Sequence, residues 1–85
     1  MNHKTELKIE IISPEGVLFE GTGHQVTIPS SSGEMGILAE HEAVISRLSE
    51  GVVKVLNAKD KVLKEVSISG GFAEMFGNRL LVLVD

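Results

Sequence analysis

Apolar residues recur at every second position through much of this 85-residue chain, and that rhythm narrows its fold more than any other property. A strand turns successive side chains to opposite faces, so period-two patterning marks a segment with one dry face and one wet face. Leu7, Ile9 and Ile11 share one side of such a segment, and Glu6, Lys8 and Glu10 the other. Ser13-Pro14-Glu15-Gly16 supplies a turn, and Val17-Leu18-Phe19-Glu20 a short strand ended by Gly21 and Gly23. Gln25 to Ile28 alternates again and stops at Pro29. Glu40 to Leu48 suits a helix or a strand; nine residues make a marginal helix, which favours the strand. Gly51–Leu56 and Val62–Ile68 are strands joined by the turn Asn57-Ala58-Lys59-Asp60. Gly77-Asn78 then joins Phe72–Phe76 to Arg79–Val84 as a tight hairpin. Short strands at this spacing predict an all-β sandwich or barrel of a single domain spanning residues 1–85.

Two segments break the rhythm. Gly33 and Gly36 bracket Glu34 and Met35, with His41 five residues beyond the second glycine. Glycine accepts backbone angles that other residues resist, so the bracket predicts a sharply bent loop that pushes Glu34 and Met35 outward toward a partner. The last strand is apolar on both faces, Leu80, Val82 and Val84 on one and Leu81 and Leu83 on the other. It either lies inside the sandwich or meets a partner.

Composition excludes several classes. A net charge of −4 disfavours nucleic acid, and 4% aromatic residues provide no platform for stacked bases. The chain has no cysteine, so neither a disulfide nor thiolate chemistry is available to it. No signal-peptide pattern or membrane-spanning apolar run occurs, which predicts a soluble protein that could still dock on a membrane complex. Acids concentrate between Glu34 and Glu50 and lysines between Lys54 and Lys64, which suggests an acidic and a basic pole.

No constellation here carries chemistry. His3, His24 and His41 lack metal-ligand spacing. Ser30, Ser31 and Ser32 near His41 and Glu42 have the atom types of a hydrolase without a nucleophile elbow. Gly33 with Gly36, or Gly70 with Gly71, opens no helix with a following lysine and so makes no phosphate loop; Gly70-Gly71 marks a bulge or a close backbone approach. Lys59, in a turn between two strands, resembles the presented lysine of a lipoyl-carrier domain, although a solvated charged turn is the plainer reading. A free-standing binding or carrier-like module is the alternative these residues leave open.

Read together, Pro14-Glu15-Gly16-Val17-Leu18-Phe19-Glu20-Gly21, Gly33-Glu34-Met35-Gly36-Ile37-Leu38, His41, Leu48 with Gly51, and Ser69-Gly70-Gly71-Phe72 resemble the epsilon subunit of bacterial F-type ATP synthases. The likeness runs from about Leu7 to the C-terminus. It implies the N-terminal domain of that subunit, a two-sheet β-sandwich of mostly antiparallel strands. It also implies a non-catalytic rotor component without cofactors, placed between the gamma subunit and the c-ring on the cytoplasmic face of the bacterial inner membrane. By the same likeness, Glu34, Met35, Gly36 and His41 would grip the ring, and Leu81 and Leu83 would face gamma. Two departures bear on this. Ala39-Glu40 and Glu42-Ala43 flank His41 where the family often has Pro-Gly and Ala-Pro, so the segment is less pre-set. The sequence stops at Asp85, where the family pattern continues into an inhibitory helical hairpin, so neither inhibition nor ATP binding carries over.

Overall fold

The structure, a computed structural model, describes residues 6–40 and 42–85. Nine strands follow one another with no helix among the described residues: β1 Leu7–Ser13, β2 Gly16–Gly23, β3 Gln25–Ser30, β4 Gly33–Leu38, β5 Val44–Leu48, β6 Gly51–Leu56, β7 Val62–Ile68, β8 Gly71–Phe76 and β9 Arg79–Val84. They form two layers, β2-β1-β9-β8-β5 and β4-β3-β6-β7, joined at one corner where Ser30 of β3 pairs with Leu48 of β5. The result is a nearly closed β-sandwich.

Alternation produces the core as the sequence leads one to expect. Leu7, Ile9 and Ile11 point inward from β1, Val26 and Ile28 from β3, Val53 and Val55 from β6, and Leu80 and Val82 from β9; all are buried. They belong to one cluster that also holds Ile37, Ala73 and Met75, so a single interior ties the layers together. No polar residue is buried within it among those described. The ambiguous segment resolves as β5 over Val44–Leu48. The pairings are antiparallel except one, in which β1 runs parallel to β9.

Three expectations need correction. The glycine-bracketed segment is not a loop: Gly33–Leu38 is a strand in unbroken antiparallel register with β3, from Ser30↔Gly33 to Gln25↔Leu38. The bend falls earlier, on Ser31-Ser32, where the Ser30 hydroxyl donates to the Gly33 carbonyl at 2.7 Å and Gly33 takes a φ of 115°. Because the segment is a strand, Glu34 and Met35 point to opposite faces. Glu34 is exposed, while Met35 is half-buried and packs against the core.

Second, β2 does not end at Glu20 but runs to Gly23, carried by its ladder with β1 through Ile9↔Gly21 and Leu7↔Gly23. Third, β3 passes through Pro29 to Ser30. The ladder between β3 and β6 covers only Gln25 to Thr27, so Pro29 stands past it, and its carbonyl accepts from Ser49 N–H at 3.1 Å. Proline is tolerated where a ladder lapses, because the missing N–H is not needed there.

The acidic run is also divided. Glu34 follows the β3–β4 turn, whereas Glu40 follows the far end of β4 with a φ of 65°. The five steps between Gly33 and Leu38 amount to roughly 17 Å. Glu50, in the β5–β6 connection, lies at the Glu34 end and lines a shared groove with it.

Candidate interaction surface

The outer face of β2-β1-β9-β8-β5 is the most unusual surface of the molecule. Alternate residues of these strands lie on it, with a one-residue shift in β2 at the bulge between Val17 and Phe19, and the ladders set these residues in rows that run across the strands. One row is apolar: Val17 opposes Ile12, Ile12 opposes Leu83, and Leu83 opposes Phe72. Phe72 is 47% exposed and Leu83 45%, far more than their inward neighbours Ala73 and Val82. Arg47 closes the row, its guanidinium carbon 5.3 Å from the Phe72 ring centroid. Such a contact holds a cation over the negative face of the ring while leaving the ring edge free.

The next row is acidic around one leucine. Glu20 opposes Glu10, Glu10 opposes Leu81, and Leu81 opposes Glu74. Leu81 is half-buried in a shallow depression lined by Lys8, Glu10, Glu74 and Phe76. The third row is basic, with Lys8 opposite Arg79 and Arg79 opposite Phe76. Phe76 and Ile45 complete the exposed apolar area at 72% and 73%. Leu81 and Leu83 therefore share one outward face, as the two-faced last strand suggests. Phe72, Ile12, Phe76 and Ile45 were not singled out from the sequence. The only available signal was the apolar residues at both parities of Phe72-Ala73-Glu74-Met75-Phe76.

Glu34, Met35 and Gly36 lie elsewhere, on β4 at the edge of the second layer. His41 falls outside the described residues. Its chain neighbour Glu40 follows the far end of β4, so the segment leading to His41 starts from the opposite end of that strand to Glu34. The structure thus places Glu34, Met35 and Gly36 on a strand and not in a loop.

Gly70-Gly71 is a close approach, as expected. Gly71 has a φ of 148°, and a Cβ there would run into the Leu83 carbonyl oxygen. This absence of a side chain lets β8 lie tight against β9 below the Phe72–Leu83 pair. Lys59 is exposed in the β6–β7 turn, where Asn57 Oδ1 accepts from the backbone N–H of Lys59 at 2.8 Å and of Lys61 at 3.0 Å.

Among the described residues no group of three or more His, Asp or Glu is placed to hold a metal ion. No helix among them is long and apolar enough to cross a membrane. The surface offers adhesion, charge and shape.

Comparison with known proteins adds a family. The model of the ATP synthase delta/epsilon chain β-sandwich domain matches residues 6–85. The ATP synthase epsilon chain of Sulfurimonas denitrificans is 38% identical over 81 residues, covering 95% of this chain and 62% of that one. That of Campylobacter fetus is 37% identical over 79 residues, covering 93% and 60%. That of Nostoc punctiforme is 33% identical over 79 residues, covering 93% and 58%. The chain thus spans about three-fifths of the length of these relatives.

Two solved assemblies contain a similar fold. A chain of the Euglena gracilis mitochondrial ATP synthase OSCP/F1/c-ring structure superposes with a TM-score of 0.85 at 24% identity, covering 99% of this chain and 53% of that one. A chain of the Tetrahymena thermophila mitochondrial ATP synthase central stalk and c-ring structure gives 0.76 at 16%, covering 98% and 66%.

Proposed function

The chain belongs to the ATP synthase delta/epsilon chain β-sandwich family, and from that membership we propose that it is a non-catalytic central-stalk component of an F-type ATP synthase. Its work is mechanical. It clamps the gamma subunit to the c-ring, so that rotation of the ring by protons or sodium ions turns gamma and ATP is made at other subunits. Its place is peripheral, on the side of a bacterial inner membrane that faces the cytoplasm.

A coupling of this kind needs a stiff body with adhesive surfaces. Two hydrogen-bonded layers around one packed interior resist shear, which supports the first requirement. The observation that carries the reading is the apolar row Ile12–Leu83–Phe72 on an outer sheet face. An exposed apolar surface is costly in a free-standing domain and useful at an interface. We assign this face, with Leu81 and Leu83 at its centre, to gamma.

The β3–β4 end, with Glu34, is assigned to the c-ring, and Glu50 beside it adds charge. Loops of membrane proteins on the cytoplasmic side are rich in Lys and Arg, which suits an acidic contact. Exposed ion pairs contribute about 0–1 kcal/mol each, so these acids orient the contact while apolar burial holds it. Met35 contributes through the part of its side chain the core leaves exposed, Gly36 by letting a partner approach the backbone, and His41 from the segment after β4. The carrier-like alternative has only the exposed Lys59 in its favour.

Charge reversal at Glu34 and the substitution Leu81→Glu test the assignment. Each is expected to weaken assembly of the synthase or uncouple ATP hydrolysis from ion pumping in membrane vesicles. Full assembly and coupling in both variants would contradict it.

A further inference from the structure

We propose that the outer face of β2-β1-β9-β8-β5 is keyed by charge, so that a protein partner can seat on it in one rotational orientation only. The proposal rests on the reading that gamma docks here and adds the chemistry of the docking surface. That surface carries an apolar ridge running across the strands, flanked on one side by an anionic stripe and then by a cationic one.

The key is the order of the three rows. Apolar Ile12, Leu83 and Phe72 come first, acidic Glu20, Glu10 and Glu74 second, and basic Lys8 and Arg79 third. Neighbouring strands lie about 4.8 Å apart, so the rows extend some 19 Å from β2 to β5. Along a strand, residues two apart on one face are about 6.6 Å apart, which sets the spacing of the stripes.

Like charges directly opposite one another across a ladder are unfavourable, yet this face has two such pairs. Glu10 opposes Glu20, and Lys8 opposes Arg79. Exchanging one member of each would give two favourable cross-strand pairs and erase the stripes. The chain instead keeps each sign together, an arrangement that disfavours the free domain and suits a partner of complementary order. Turning that partner by half a turn about the acidic row would set its acids over the leucine and phenylalanine ridge and its apolar row over Lys8 and Arg79. Two copies of this chain face to face do not satisfy the pattern either. A two-fold axis along the acidic row would bring each glutamate of that row against its own copy. One along β9 would oppose Glu10 to Glu74.

The test is binding of the chain to purified gamma subunit from the same organism, at low and high salt. The unmodified chain should bind, more weakly as salt rises, because stripes of opposite sign are screened. Glu10→Lys with Glu74→Lys, and separately Lys8→Glu with Arg79→Glu, should each raise Kd at least tenfold at low salt, the difference shrinking at high salt. The neutral pair Glu10→Gln with Glu74→Gln should fall between, and thermal melting should show all variants folded. Charge reversals that leave Kd within twofold, while Leu83→Glu abolishes binding, would overturn the key and leave the docking assignment standing. Failure of the unmodified chain to bind gamma would overturn both.

Discussion

Arg47 and Phe72 stand opposite one another on β5 and β8, and the arginine lays its guanidinium over the phenyl ring at 5.3 Å from the centroid. The contact covers one face of an aromatic residue that the fold otherwise leaves in water. A partly exposed cation–π pair contributes about 0.5–1 kcal/mol, and the arginine stem adds apolar cover. Arg47→Ala should therefore lower stability to urea by about 1 kcal/mol without altering the strand content seen by circular dichroism. An unchanged midpoint would mean that the pair is incidental.

The tight pairing of β8 with β9 depends on position 71. A Cβ there meets the Leu83 carbonyl, and at 2.9 Å the Val84 Cα, and φ is 148°. Gly71→Ala must part the two central strands, a cost of at least about 3 kcal/mol, comparable to overpacking a core combined with backbone strain. Gly33 has open space around it and a φ of 115°, so Gly33→Ala pays the conformational strain alone, about 1–2 kcal/mol. Equal losses at the two positions would contradict this account of the β8–β9 approach.

Core and surface should separate cleanly in mutational stability. Ile28 is fully buried between the layers, and Ile28→Ala should cost about 2–5 kcal/mol through lost transfer energy and the cavity left behind. Ile45, at 73% exposure, should change by less than about 0.5 kcal/mol on the same substitution. Chemical denaturation of the two variants measures the difference directly.

Thr27 has a buried hydroxyl oxygen with no hydrogen-bond partner among the described residues. Burying a hydroxyl unpaired costs about 1–3 kcal/mol, and valine replaces it with a methyl of similar size. Thr27→Val is expected to hold or raise the melting temperature, with a gain of up to about 1 kcal/mol. A clear loss of stability would show that the hydroxyl has a partner after all.

Much of the fold was legible because it is local. Leu7, Ile9 and Ile11 alternate with charges, and Gly77-Asn78 between two apolar runs can hardly be anything but a hairpin. The misreadings are equally local in origin. Gly33 and Gly36 suggested a bend, but the bend was already made by Ser31-Ser32, and a ladder with β3 accommodates glycine without demanding a loop. Pro29 suggested a stop, but it stands where β3 has lost β6 and no N–H is required.

The docking face was only half visible. Leu81 and Leu83 announced themselves in an apolar run, whereas Ile12 joins them through a pairing that spans most of the chain, and Phe72 through the register of the β8–β9 hairpin. The parallel ladder of β1 with β9 has no short-range signature at all. Its register sets Glu10 beside Leu81, on the side opposite the Glu74 that the β8–β9 hairpin supplies.

Whether this domain seats between shaft and ring is best decided by affinity capture of the tagged chain from detergent-solubilised membranes of its source organism, with the bound proteins identified by mass. The account predicts recovery of gamma and c-ring subunits together with the rest of the ATP synthase. Recovery of the chain alone, or with an unrelated partner in place of those subunits, would contradict it.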